Sequence, residues 1–191
     1  MFSIFLKVLV VLLSFTSISL ANCSFDQTFG NSIDTFKEKF GASLIVVPGE
    51  WGLEEIILEK NSLCTNNDFE DLFSTYSFLS DKLVEIKIVS IEKESLNLID
   101  WTKNKYGEAT DQTSKDLTSN QNNFFWELDD KIIFAEYTKA PYEVFQVVKI
   151  ISKRYDDLFD EYYENVASGS DPTFKEKMYN FRLNISDKYD N

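Results

Sequence analysis

The sequence predicts an α+β protein in which an antiparallel sheet of about five to seven strands carries helices on one face, after an N-terminal signal peptide. Three observations predict this class. Residues 83–91 alternate between apolar and charged side chains, which is typical of a half-buried strand. Residues 33–40 repeat apolar side chains at helical spacing. The chain also contains 17 Phe, 9 Tyr and 3 Trp, enough apolar area for a folded core.

Residues 1–21 have the pattern of a cleavable secretory signal. Lys7 precedes an apolar stretch, and small residues at Ser19 and Ala21 suit a signal peptidase that cuts before Asn22. An uncleaved anchor is the alternative, but Lys7 leaves only a short uninterrupted apolar run. We therefore expect residues 22–191 to form one mature domain, with no membrane span after cleavage, in the periplasm or outside the cell.

A second route of processing is lipidation at Cys23. Residues 20–23 resemble the bacterial lipoprotein signal, in which a cysteine becomes the lipidated first residue. Asn22 departs from that pattern, because the position before the cysteine is normally Gly, Ala or Ser. This alternative would make the protein an outer-envelope lipoprotein with its lipid anchor at Cys23.

The first elements of the mature chain are a helix and a hairpin. Ser32 can cap a helix over residues 33–40, and Gly41 can end it. The apolar runs 43–47 and 53–59 flank a proline and two glycines, so they predict a pair of strands joined by a turn.

The middle of the chain predicts a strand, a helix and a loop. Residues 68–76 are ambiguous, whereas 83–91 form a clear strand with Val84, Ile86 and Ile88 on one side. Residues 94–106 then predict a helix that ends at Gly107. The polar segment 108–123 predicts a mobile loop.

The last third predicts an antiparallel meander and a helical end. Residues 124–128, 132–137 and 142–151 are three strand-like runs separated by turns. C-terminal helices begin at about residue 155, and a second one starts at Asp171, where a capping side chain precedes a proline.

Charge restricts the possible partners. Residues 1–21 contain one of the 19 basic residues and none of the 32 acids, so the mature chain carries 18 basic residues and a net charge of −14. Scattered, outnumbered Lys and Arg exclude nucleic acid as a partner, since phosphate backbones need clustered cations. A negative surface instead attracts a basic protein. The candidate contact residues for such a partner lie opposite an apolar stripe in the C-terminal helix: Asp156, Asp157, Asp160, Glu161 and Glu164. A solvated helix face is the simpler reading of these acids.

Several kinds of chemistry lack their residues. The chain has no histidine, which removes Ser-His-Asp catalysis and His-ligated zinc. No nucleotide-binding loop or nucleophile elbow is present. The acidic C-terminal run lacks the spaced ligands and central glycine of a calcium loop. We therefore predict no cofactor and no metal, and expect Cys23 and Cys64, the only cysteines, to form one disulfide.

Carboxylate chemistry stays possible, because glycoside hydrolysis needs only two acids on a cleft. Glu50 beside Trp51 is the acid to inspect, although a solvated hairpin tip is the simpler interpretation. Trp101 and Trp126 are interpreted as core residues.

The preferred function is that of a small exported acidic protein without enzymatic activity, which binds or inhibits a partner as an immunity-type protein does. The alternatives are a carboxylate-dependent carbohydrate-active enzyme and a structural envelope component.

Overall fold

The strands of this protein form one antiparallel sheet of eight, in the order β1-β2-β3-β4-β8-β7-β6-β5. A computed structural model describes residues 23–41, 44–49, 52–65, 68–113 and 119–169. The strands are β1 Val46–Pro48, β2 Leu53–Glu59, β3 Asp71–Leu79, β4 Lys82–Glu92, β5 Asp111–Gln112, β6 Gln121–Glu127, β7 Lys131–Lys139 and β8 Val144–Ser152. The predicted class is confirmed, but the predicted count of five to seven strands is too low.

Two strands account for the difference in count. The ambiguous segment 68–76 becomes β3, which pairs along its length with β2 and β4. The polar segment 108–123, predicted to be a loop, contains β5, whose two residues pair with Phe124 and Phe125 of β6. Backbone pairing to β6 therefore decides the structure of β5, which has no apolar pattern of its own.

The helices are α1 Ile33–Phe40, α2 Lys60–Leu63, α3 Asn97–Tyr106 and α4 Asp156–Gly169, and a 3₁₀ turn Lys153–Tyr155 precedes α4. Ser32 caps α1 as predicted, because its hydroxyl accepts a hydrogen bond from the Thr35 N–H at 3.2 Å. Helix α3 begins at Asn97 instead of residue 94. The side-chain oxygen of Gln146 accepts hydrogen bonds from the N–H groups of Leu98 and Ile99, each at 3.2 Å. These two hydrogen bonds fix the start of α3.

One side of the sheet, here called the helix-covered face, lies under α1 and α3. Phe36 of α1 packs against Tyr76 of β3 with ring centroids 4.6 Å apart, and Gln146 of β8 binds the start of α3. The side chains on this face are almost wholly buried and include Ile56, Leu58, Tyr76, Ile86, Ile88, Phe124, Trp126, Ile133, Tyr137, Val148 and Ile150. Burial of this apolar area supplies the main driving force for folding.

The opposite side, here called the open face, holds the alternate residues of the same strands. Helix α4 contacts β3, and Tyr163 of α4 lies near Glu85, an open-face residue of β4 opposite Ser77 and Ile151. The expectation that all helices pack on one face is therefore wrong for α4. Helix α4 follows the C-terminal end of β8, and from there an amphipathic helix can pack on either face of the sheet. Its own apolar pattern does not determine which face it covers.

The sheet consists of two four-stranded halves. From each edge inward, the strands of a half follow one another in chain order, β1 to β4 on one side and β5 to β8 on the other. Helix α1 precedes the meander β1–β4, helix α3 precedes the meander β5–β8, and β4 pairs with β8 where the two halves meet. This arrangement places the long strands β4 and β8 at the centre of the open face. No helix in the described ranges is long and apolar enough to cross a bilayer.

Three predictions fall on residues outside those ranges. They are the signal peptide over residues 1–21, the second C-terminal helix from Asp171, and the candidate acid Glu50 with its neighbour Trp51.

Candidate binding surface on the open face

The predicted disulfide is present. Cys23 and Cys64 are bonded and form an isolated antiparallel bridge, next to which the Ser24 N–H donates to the Leu63 carbonyl at 2.7 Å. Phe25 follows immediately and is fully buried, edge-on to Trp101 with ring centroids 4.9 Å apart. The bond uses the Cys23 thiol that lipidation requires, so the two modifications exclude each other.

A cavity of about 480 Å³ lies beside this disulfide. Its lining includes both cysteines and a single carboxylate, that of Asp26. Asp26 forms an ion pair with Lys105 and accepts a hydrogen bond from the Tyr106 hydroxyl at 3.1 Å. One carboxylate already held by a lysine and a tyrosine does not supply the acid and base that glycoside hydrolysis needs.

The open face carries an apolar patch formed where β2, β3, β4 and β8 lie side by side. Its members are Ile57, Phe73, Val89, Ile91, Phe145 and Val147. Cross-strand register forms two rows of these side chains. In the first row Phe73 lies opposite Val89 and Val89 opposite Val147, and in the second Ile91 lies opposite Phe145. Ile57 lies in the adjacent row, opposite Thr75. Large side chains in this patch remain open to solvent: the exposed fraction is 51% for Ile57, 39% for Phe73 and 38% for Phe145.

Carboxylates lie at the ends of the rows that form this patch. In the row of Phe73, Val89 and Val147, Glu59 lies opposite Phe73 at one end. Glu136 lies opposite Val147 at the other end. Asp71 is opposite Ile91 in the second row. All three acids are exposed, so the apolar patch has a rim of three carboxylates, and Lys87 and Lys149 border it only in the row that holds Ile57.

The strand residues of the whole open face are predominantly acidic. Seven carboxylates and three lysines lie on it: Glu55, Glu59, Asp71, Glu85, Asp111, Glu127 and Glu136, with Lys82, Lys87 and Lys149. Lys149 pairs with Glu85 at 3.2 Å. The carboxylates on this face outnumber its lysines, so the face has a net negative charge even after the Lys149–Glu85 ion pair is taken into account.

Helix α4 adds the acids predicted from the sequence to the same face. Asp156, Asp157, Glu161 and Glu164 are exposed and Asp160 is half-exposed, while the aromatic residues Phe159, Tyr162 and Tyr163 are half-buried. Burial, followed by the charges of Glu85 and Tyr162, raises the pKa of Tyr163. The helix therefore rests on its aromatic stripe and presents its carboxylates to solvent, beside the apolar patch.

The tryptophans predicted to lie in the core do so. Trp101 is 8% exposed and Trp126 is 1% exposed, and the Trp126 indole N–H donates to the Gly107 carbonyl at 2.9 Å. Within the described part of the chain, no three acidic or cysteine side chains converge as a metal ion would require.

Sequence reasoning found the acids of α4 but missed the apolar patch. The available signal was that β3 and β8 place large apolar side chains at both odd and even positions, as in Leu72 with Phe73 and Val144 with Phe145. Such runs show that a strand has two apolar faces. They do not show that Val89 and Val147 meet, since that contact depends on the pairing of β4 with β8.

Comparisons with known proteins add little to this description. No known family model matches the chain, and no curated protein matches it significantly in sequence. Among solved structures, the chain is similar to a cysteine-rich secretory protein from Staphylococcus aureus subsp. aureus Mu50, with 14% identity and a TM-score of 0.33. The match covers 70% of this chain and 49% of that protein, so this chain spans about half the length of its match. A similarity of this degree carries no inference about partners or activity.

Proposed function

We propose that this chain is an exported acidic binding protein that holds, and by holding inhibits, a basic protein partner. The observation that carries the proposal is the placement of α4. Its exposed acids project from the same face whose strands already hold seven carboxylates against three lysines. Charge of one sign concentrated on one face steers an oppositely charged protein toward that face and speeds its association.

Export is part of the proposal and has two supports. Residues 1–21 have the pattern of a secretory signal. The Cys23–Cys64 disulfide also belongs to a compartment in which disulfides persist, such as the periplasm or the extracellular space.

Binding without catalysis is favoured over carbohydrate hydrolysis by the chemistry of the available sites. The cavity beside the disulfide contains one carboxylate, Asp26, which is already paired with Lys105. Histidine, the side chain that most often performs general acid-base catalysis near neutral pH, is absent from the chain.

The test is affinity measurement against a partner captured from the native envelope or culture medium and then purified. Changing Asp157, Asp160 and Glu161 to Lys is expected to weaken binding, and added salt is expected to weaken the wild-type complex in the same direction.

The matched control changes Glu38, Glu94 and Glu108 to Lys. These three acids are exposed and lie on or beside α1 and α3, away from the open face, so the net charge changes equally. The control variant should lose clearly less affinity than the α4 variant. Equal losses would mean that net charge alone matters, and no loss in either variant would remove α4 from the proposal.

A further inference from the structure

We infer that the apolar patch of Ile57, Phe73, Val89, Ile91, Phe145 and Val147 is the second half of this interface, where the basic partner inserts large apolar side chains flanked by Lys or Arg. The inference rests on the proposed function and specifies the chemistry of its partner. It predicts that affinity comes from the patch, whereas α4 supplies attraction and orientation.

The first support is exposure. Phe73 and Phe145 keep 39% and 38% of their surface in contact with solvent, and Ile57 keeps 51%. A soluble protein exposes isolated apolar side chains routinely, but a contiguous group of them joined by cross-strand register is typical of an interaction site. Buried aromatic side chains at the centre of an interface also contribute a large share of binding energy.

The second support is the rim of carboxylates. Glu59 and Glu136 lie at the two ends of the row formed by Phe73, Val89 and Val147, and Asp71 lies at the end of the row that holds Ile91. An apolar centre with a charged, solvent-exposed edge is the usual anatomy of a protein interface. Here the three carboxylates of the edge, together with the acids of α4, select a partner whose own rim is mainly basic.

The third support is continuity with α4. Glu85, which lies near Tyr163 of that helix, and Val89 of the patch are on the same face of β4. They are four positions apart in the strand, a distance of about 13 Å. One partner surface of ordinary size covers both. Lys87 lies between them and is exposed, so the partner has a non-basic residue at that position.

The same charges argue against a second copy of this chain as the occupant. Two copies joined face to face would bring the carboxylate rims of both patches together, and like charges placed opposite each other destabilise a contact. An anionic lipid surface is disfavoured for the same reason.

The experiment uses the full mature chain with a photo-reactive phenylalanine analogue at position 73 or 145, and at position 104 as the control. Asn104 is exposed on α3, on the other side of the molecule. The expected result is a cross-link to the basic partner from positions 73 and 145, and none from position 104. A cross-link from positions 73 and 145 to residues 170–191 of the same chain, or to a second copy, would overturn the inference.

Affinity provides the second readout. Phe73→Ser and Phe145→Ser are each expected to weaken binding about tenfold or more, with the loss unchanged by salt, while Phe73→Leu retains most of the affinity. Circular dichroism and the melting temperature check that each variant folds. If α4 reversal weakens binding but both serine variants stay within twofold of wild type, the inference is wrong and the proposed function survives. If α4 reversal also has no effect, both fail.

Discussion

Removing the disulfide is expected to lower stability strongly, because the bond joins residues that are far apart in the chain. Cys23 and Cys64 are separated by 41 residues. Closing a loop of that length in the unfolded chain removes about 13 cal/mol/K of entropy, or about 4 kcal/mol at 25 °C. For a chain of this size, each kcal/mol shifts the melting temperature by about 2–4 °C. The double variant Cys23→Ala, Cys64→Ala should therefore melt about 8–16 °C below wild type.

The assay is thermal unfolding followed by circular dichroism, with and without a reductant. Reductant should lower the melting temperature of wild type toward that of the double variant and leave the double variant unchanged. A decrease of less than about 2 °C would refute the reasoning, since it would mean that loop closure contributes little to this fold.

A double-mutant cycle shows what the bond stabilises. Phe25 is fully buried against Trp101, and its carbonyl accepts a hydrogen bond from the Tyr76 hydroxyl at 3.3 Å. Phe25→Ala should cost about 3–5 kcal/mol in the presence of the disulfide. A similar cost in the double cysteine variant would show that the N-terminal segment stays docked without the bond. A much smaller cost would show that this segment detaches first.

Two further predictions concern packing and pH. Gly30 has a φ of +86°, and a β-carbon there would lie 2.0 Å from the Tyr155 hydroxyl oxygen. Gly107 has a similar φ of +83°, but a β-carbon there would meet nothing within 4 Å. Gly30→Ala should therefore lower the melting temperature more than Gly107→Ala, and adding Tyr155→Phe to Gly30→Ala should restore part of the loss. Burial raises the pKa of Tyr76 to about 12, so its contribution to stability is complete below pH 10 and is lost as pH rises from 10 to 12, by about 2–3 kcal/mol. Urea titrations across that range should show a shallower loss for Tyr76→Phe than for wild type, and equal slopes would contradict the assignment.

Local pattern was sufficient to predict most elements of the fold. Residues 85–88 alternate because β4 buries Ile86 and Ile88 on one side and places Glu85 and Lys87 on the other, and α1 has a capping serine and a terminating glycine. In β3 the alternation fails where Leu72 and Phe73 are adjacent and where Phe78 and Leu79 are adjacent. The register shift beside Phe78 belongs to β4, in which Val84 is the extra residue without a partner in β3. A strand with apolar residues on both sides does not have a simple period of two, and pattern alone does not predict a bulge in its neighbour.

The proposed interface could be predicted only in part, because its halves depend on different kinds of information. The acids of α4 are close in sequence, so helical spacing places them together without knowledge of the fold. The patch joins Phe73 to Val147, residues of strands that meet only through the order of the sheet. Hydrophobic pattern marks each strand as apolar but does not say which strands are neighbours.

The most direct test of the central claim, that the open face recognises a basic partner, is hydroxyl-radical footprinting of the mature protein with and without its purified partner. The method measures the solvent exposure of individual aromatic side chains. We expect oxidation of Phe73 and Phe145 to fall on binding, while oxidation of Phe40 on α1 and Tyr106 on α3 stays unchanged. Protection of Phe40 and Tyr106 with continued oxidation of Phe73 and Phe145 would place the partner on the helix-covered side and contradict the account.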